Sequence, residues 1–287
     1  MIDNYKYTEA YQQISGGTRT TRGMLRHGVL NLLSGFNPIL KTKTPRIQFL
    51  YFHHVFEDEI KGLDKLLKTL SKEFQFISYS EAISRIKSNQ IDSKYIAWSS
   101  DDGFKNNLAA AKVFRRYNIS ACFFINPGSI GIKLAASEQF CASKLNLPPV
   151  EFLNWQEVND LQNEGHEIGS HTINHLRLVD LNESELLEEV VTSKSKIEKY
   201  CGKVQHFAYP YGRWPDFSQK GMEIVVAAGY QSCATAERGC HTIGMKTPKE
   251  VPVIQRDLVI AGWPQNHVEF FMHSNALYKK NTRAPWK

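Results

Sequence analysis

The hydrophobic pattern of this chain alternates between two spacings. Continuous apolar runs at 47–52, 95–98 and 121–125 are short enough for buried strands, and briefer ones stand at 74–77, 167–169, 206–208, 231–233 and 251–254. Between them, 63–70, 108–117, 155–164 and 182–200 place apolar residues three and four apart, the spacing of an amphipathic helix. Ser80 is placed to cap a helix after the second strand, and Gly165 to close the one before it. The stretch 126–149 holds glycine, serine and prolines and reads as a loop over one rim. Regular alternation of strand and helix over roughly 200 residues predicts a parallel sheet with helical crossovers. A distorted (β/α) barrel of about seven parallel strands is the expected architecture. An extension over 1–45, partly helical, precedes it, and a basic helix or tail over 261–287 follows.

Composition changes this picture little. Of the 287 residues, 42% are hydrophobic, which is ordinary for a water-soluble domain. No run approaches the ~20 apolar residues that cross a bilayer. The polar N-terminus lacks the features of a secretory signal, so a cytoplasmic location is expected. Five cysteines, Cys122, Cys141, Cys201, Cys233 and Cys240, form no Cys-x-x-Cys pair and read as reduced structural thiols. Charge matters more. Before position 47 stand Lys6, Arg19, Arg22, Arg26, Lys41, Lys43 and Arg46 against only Asp3 and Glu9, and no acid follows Glu269. These basic, partly apolar ends read either as solvated faces of packed helices or as a peripheral contact with an anionic membrane. No nucleic-acid partner is implied.

Chemistry concentrates at two strand ends. Ser99-Ser100-Asp101-Asp102-Gly103 follows one strand, where a glycine turn can bring both carboxylates to one site. Two anions so close call for a cation. His171-Thr172-Ile173-Asn174-His175 follows another, and imidazoles four apart on a helical turn can hold one metal ion. Thr172 stands where a zinc peptidase has its glutamate base, which argues against that class. No Gly-x-Gly-x-x-Gly or Walker sequence follows any strand, which removes the main support for nucleotide-binding readings. One carboxylate with two imidazoles makes an open, catalytic type of site.

These motifs resemble the polysaccharide deacetylase family, also called NodB-homology or carbohydrate esterase family 4. Ser99–Gly103 resembles its Thr-Phe-Asp-Asp-Gly motif, and 171–175 matches its His-Ser/Thr-x-x-His motif in full. Trp155 and 165–170 also look like the family, and 208–212 partly matches Arg-x-Pro-Tyr/Phe, with Ala208 in place of the arginine. The resemblance spans about 47–259 and implies an N-deacetylase of amino sugars. It makes Asp101 the catalytic base and Asp102, His171 and His175 the ligands of one divalent metal ion. Zinc is the default, and cobalt, nickel or iron(II) suit the same donors. The backbone N–H of Tyr211 would hold the oxyanion. The family's C-terminal Leu-x-His is absent, since Met272-His273 lies in a helical stretch. His53 is the candidate general acid, on a Tyr-His-x-Val signature that one branch of the family carries. Its alternative is a rim histidine bonded to a loop, and His54 should point the other way. Trp214, Arg256 and Asn126 are candidate substrate-side residues. Trp214 would stack on a sugar or pack the rim, and Arg256 could instead brace the aspartate in place of Ala208's missing arginine. The implied substrate is an amino-sugar glycan, a glycolipid or an activated sugar, as in cell-surface glycan biosynthesis. Two rivals remain: a deformylase or other small-amide hydrolase on the same site, and a weakly catalytic glycan- or lipid-binding protein that kept the fold.

Overall fold

A computed structural model describes residues 21–141, 150–245, 249–278 and 284–286. The expected N-terminal lead over 1–20 and the basic positions 279–283 and 287 lie outside the described residues. Among the described residues nine strands form one sheet, and every pairing between them is parallel. In chain order they are β1 (Arg46–Phe52), β2 (Gln75–Phe76), β3 (Lys94–Ser100), β4 (Cys122–Ile125), β5 (Glu167–Ser170), β6 (His206–Ala208), β7 (Ser232–Ala234), β8 (Val253–Ile254) and β9 (Arg256–Leu258).

The path through the sheet runs β8-β7-β6-β5-β4-β3-β1-β9, with β2 added beside β3. Its two ends are covalent neighbours. β8 pairs with β7, β9 pairs with β1, and only Gln255 separates them. The sheet therefore closes into a barrel, and with β8 and β9 counted as one interrupted stave it has the seven staves expected. Ile47 of β1 exchanges backbone hydrogen bonds with His241, which fills the edge below β9.

The pleat sorts the apolar residues into two layers. Ile47, Phe49, Tyr95, Ala97, Cys122, Phe124, Ala208, Ala234 and Ile254 point into the barrel. Leu50, Phe52, Ile96, Trp98, Phe123, Ile125, Ile168 and Phe207 point outward. The helices Ile60–Leu70, Asn107–Arg115, Trp155–Asn163, Ser193–Cys201 and Gln219–Ala227 lay their buried faces on this outer layer. Edge-to-face contacts of Tyr79 with Phe49 and Phe124, at 5.0 and 5.5 Å, let the helix Tyr79–Ser88 close the barrel floor.

Two local expectations need correction. Ser78, not Ser80, caps the helix Tyr79–Ser88, its side chain accepting from the Glu81 N–H. Ser80 Oγ instead bonds Glu167 and His206 at the barrel floor. The rim stretch 126–149 contains a helix, Leu134–Phe140, which its Ala-Ala-Ser-Glu-Gln sequence favours. The five cysteines are all buried and none is bridged to another.

Candidate metal centre and active site

Parity along β3 continues through Ser99 to Asp101, so Asp101 points into the mouth of the barrel. Asp101 N–H still donates to Phe52 O across the ladder at 3.1 Å. The chain then turns through Asp102 at φ 75° and Gly103 at φ 72°. That turn brings the second carboxylate to the same mouth, as the Asp-Asp-Gly sequence implied. The histidine pair arrives differently. His171 N–H extends the β4–β5 ladder to Ile125 O at 2.9 Å, and the chain then loops with Thr172 at φ 65° and His175 at φ 54°. The expected helical turn is not there. The two rings converge because left-handed residues fold the loop back, with centroids 5.2 Å apart.

Asp102, His171 and His175 are all buried, and one ligand atom from each lies within 4.8 Å of the others. Asp102 Oδ1 has no hydrogen-bond donor, yet it sits 3.5 Å from His171 Nε2 and 3.3 Å from His175 Nε2. Donors about 2.0–2.1 Å from a tetrahedral zinc ion stand about 3.3 Å from each other, so the spacing fits a small divalent cation. His171 Nδ1 is 2.8 Å from Ala208 O, which keeps the hydrogen on that nitrogen and turns Nε2 to the cluster. The position that lacks the family's arginine side chain thus contributes its carbonyl. Burial and the neighbouring Asp101 push the Asp102 carboxyl well above the usual range. Burial also lowers His171, to about 4, and His175 well below its ordinary value. Two neutral imidazoles beside an oxygen without a donor are compatible with a cation site.

Asp101 is held from β9, which β1 alone separates from β3. Arg256, on β9, donates to both of its oxygens at 2.8 Å. The same guanidinium donates to Thr235 O at 2.8 Å and Ser99 Oγ at 3.2 Å, and lies 4.3 Å from the Tyr51 ring centroid. Burial alone would raise the Asp101 pKa, but the Arg256 charge overrides it and holds the carboxyl at about 2. Arg256 is only 1% exposed, so it is corrected from the substrate side to this bracing role. Asn126 is corrected likewise. Fully buried, it donates to His171 O and to Thr172 O and so pins the histidine loop.

Glu189 carries no sequence mark that separates it from the other acids of its run. It lies on the π-helical segment Glu188–Thr192, and a π turn presents one residue out of register with the flanking helix. Its carboxylate accepts from Ile173 N–H at 2.9 Å, Asn174 N–H at 3.0 Å and Asn174 Nδ2 at 2.8 Å. Those are two of the three residues between the two histidines.

His53 continues the inward parity of β1, half-buried, with its ring 5.5 Å from Tyr51. Burial lowers its pKa, and the Asp101 charge works against that drop. His54 turns away to stack on Phe104 and Phe56 at 4.1 and 5.2 Å. Tyr211 stands at φ 62° with Gly212 N–H bonded to Pro210 O at 2.7 Å, a strained three-residue turn. Among the described residues its own N–H has no acceptor, and its ring lies 5.2 Å from that of His175. Trp214 packs edge-on against Trp286 at 5.9 Å and is half-exposed at the rim. His273 lies on the helix Gln265–Tyr278, away from any strand end.

The profile of the family described as polysaccharide deacetylase matches residues 88–232, about half the chain. A Bacillus subtilis protein named for this family, YxkH, is 28% identical over 141 residues, which cover 48% of this chain and 43% of that protein. A chitooligosaccharide deacetylase from Azorhizobium caulinodans is 38% identical over 55 residues, 18% of this chain and 26% of its own. The matched stretches thus span less than half of either relative. Among solved structures, the Streptococcus pyogenes deacetylase PplD superposes with a TM-score of 0.61 at 16% identity, covering 78% of this chain and 97% of its own. IcaB from Ammonifex degensii gives 0.61 at 19%, covering 82% and 99%. At those identities the likeness is one of fold.

Proposed function

The chain belongs to the polysaccharide deacetylase family, and from that premise we propose that it is a metal-dependent hydrolase that removes an N-acyl group, acetyl in the first instance, from an amino sugar. The observation that carries this reading is the buried Asp102–His171–His175 triangle beside an Asp101 clamped by Arg256. A divalent cation held by the triangle would polarise the amide carbonyl and acidify a water molecule. Asp101, charged at any pH above about 2, accepts the proton of the attacking water. Arg256 fixes the orientation of its carboxylate and keeps it charged against burial. The Tyr211 N–H, turned out by its strained backbone, donates to the oxyanion of the tetrahedral intermediate. His53 returns a proton to the leaving amine, which could not depart as an anion. Burial makes its imidazolium a stronger acid than an exposed one.

Arg256 weighs against the rival of a weakly catalytic binding protein, which rested on Ala208 and on the missing C-terminal histidine: a guanidinium reaches the same aspartate from β9. The relatives' names support amino-sugar glycans as the substrate class.

The test is metal content and hydrolysis on one preparation. Wild type, Asp101→Asn and His171→Ala are assayed for acetate and formate released from N-acylated oligosaccharides, activated sugars and glycolipids. The expected result is about one metal ion per chain, lost in His171→Ala and kept in Asp101→Asn, with turnover absent from both. A wild type that neither binds zinc, cobalt or nickel nor turns over would sink the proposal. Formate in place of acetate would identify the deformylase.

A further inference from the structure

At the end of the barrel away from the proposed active site, three strands begin in polar residues. Glu167, His206 and Ser232 open β5, β6 and β7. Strand parity sets them on the same inner side as Gly169, Ala208 and Ala234, two residues further on. One chain of hydrogen bonds joins them to the floor helix Tyr79–Ser88. Ser80 Oγ donates to Glu167 Oε2 at 2.5 Å and stands 2.8 Å from His206 Nε2, while His206 Nδ1 is 2.9 Å from Ser232 Oγ. Ser80 N–H donates to Glu167 Oε1 at 3.0 Å. Burial would raise the Glu167 carboxyl, but the bonds from His206 and Ser80 hold it below its ordinary value. This carboxylate is satisfied within the floor.

A cavity of about 410 Å³ opens to solvent beside it. The helix gives the wall Ser80, Ser84 and Lys87, spaced four and three apart on one stripe, and the strand starts give Gln205, His206 and Gln231. Lys87 sets the charge. It is half-buried, and its Nζ donates to Gln231 Oε1, a neutral group, at 2.7 Å. Among the described residues no carboxylate lies within ion-pair reach of it, and burial lowers its pKa with no anion to oppose the drop. A partly desolvated ammonium without a counterion is unfavourable, and an anion in the cavity would relieve it. The rest of the polar wall is amides, hydroxyls and one imidazole, which exchange hydrogen bonds with the hydroxyls of a ligand. The volume falls in the range of small-molecule sites, about 300–1,000 Å³.

We propose that the barrel floor is a second binding site, which takes a small hydroxylated anion, a sugar phosphate or a sugar acid, with its anionic group on Lys87 and its hydroxyls on Gln205, Gln231 and Ser84. Four residue steps along β5, about 13 Å of strand, separate Glu167 from the metal-ligand candidate His171. The floor site therefore neither shares residues with the catalytic mouth nor depends on the reaction proposed there.

The experiment is titration calorimetry of the full chain with glucose 6-phosphate, glucuronate and glucose. At least one of the two anions is expected to bind with Kd below about 1 mM. Glucose should bind at least about tenfold more weakly, for want of the charge-assisted bond to Lys87. The tighter of the two anions tells a phosphate ligand from a carboxylate. Lys87→Met should weaken the anion at least about tenfold. Ser84→Glu, which sets a carboxylate three residues before Lys87 on the same helix face, should do the same. Both variants should keep the wild-type thermal midpoint, metal content and hydrolytic rate. Asp101→Asn should bind the anion as wild type does, because a ligand held at the catalytic mouth would respond to that change. Wild type that binds neither anion at about 10 mM overturns the proposal. So does glucose binding as tightly as both anions, an affinity unmoved by Lys87→Met and Ser84→Glu, or binding lost in Asp101→Asn. Failure of the deacetylase test leaves each of these readouts intact, so the two readings fall separately.

Discussion

Asp101 and Arg256 form a fully buried ion pair, and such pairs are costly to break from one side. Arg256→Met should destabilise the fold by about 3–5 kcal/mol, because it leaves a carboxylate in the barrel without a partner. Asp101→Asn leaves the guanidinium without its anion and should also destabilise. The double variant should cost less than the sum of the two, and a denaturant-unfolding cycle reads that difference. At Glu189 the expectation is different. Glu189→Ala removes three acceptor contacts from the loop between the histidines but touches no ligand atom. Metal affinity should fall about 10–100-fold, measured against a competing chelator, with helical content retained. Four of the six described non-glycine residues with positive φ are Asp102, Thr172, His175 and Tyr211. Backbone strain of that kind persists where surrounding contacts over-determine it, and here it gathers at the proposed site.

At the scale of elements, the strands and most helices were legible because burial alone writes their pattern. Apolar runs such as 47–52 and 121–125 have no other use, and Asp101–Gly103 announced its turn through the glycine. What was not legible depended on partners distant in sequence. Asn126 lay at a strand end and looked like a cavity residue, but its amide faces a loop 45 positions on. Arg256 gave two readings until β9 was placed beside β1, one strand away from β3. Ser80 resembled a cap because the capping serine, Ser78, is only two residues earlier. The helical spacing of His171 and His175 misled because positive φ at Thr172 is invisible in a threonine. The loop after β6 offers a test at this scale. A Cβ at Gly212 would lie 2.5 Å from Ala236 N, with φ at 73°. Gly212→Ala should therefore displace the Tyr211 N–H, lowering kcat about 10–1000-fold while metal content stays near wild type, as loss of one oxyanion donor would.

For the whole molecule, buried histidines govern the acid side of stability. Burial lowers His54 to about 3 and His241 to about 4, against an unfolded value near 6.5. The unfolded chain binds protons first as pH falls. Their contribution is therefore complete above about 6.5 and is lost as pH drops toward 4. Urea midpoints should fall between pH 7 and pH 5, and His241→Gln should make that fall shallower. Glu59 runs the other way. Burial raises it to about 7 even though the Phe56 and Gly262 N–H groups donate to it, so its contribution is lost as pH rises through 7. Bound metal should add to this. A ligand that binds only the folded state raises the thermal midpoint, by about 2.7 kcal/mol of stability at a hundred times Kd. Chelation followed by calorimetry checks the sign.

The interrupted stave from Val253 to Leu258 has a consequence for how the protein is made. It carries the arginine that neutralises the base, and it leaves the ribosome after the other described strands of the sheet. Until it emerges the nascent chain can pair its staves in sequence but cannot join β7 to β1. Through that interval Asp101 faces the open barrel with no countercharge. Closure of the fold and arming of the site are then a single late event in synthesis. A polypeptide released before residue 253 should be an open sheet with its acids mutually repelling, and should go to proteases rather than accumulate as a partly working enzyme.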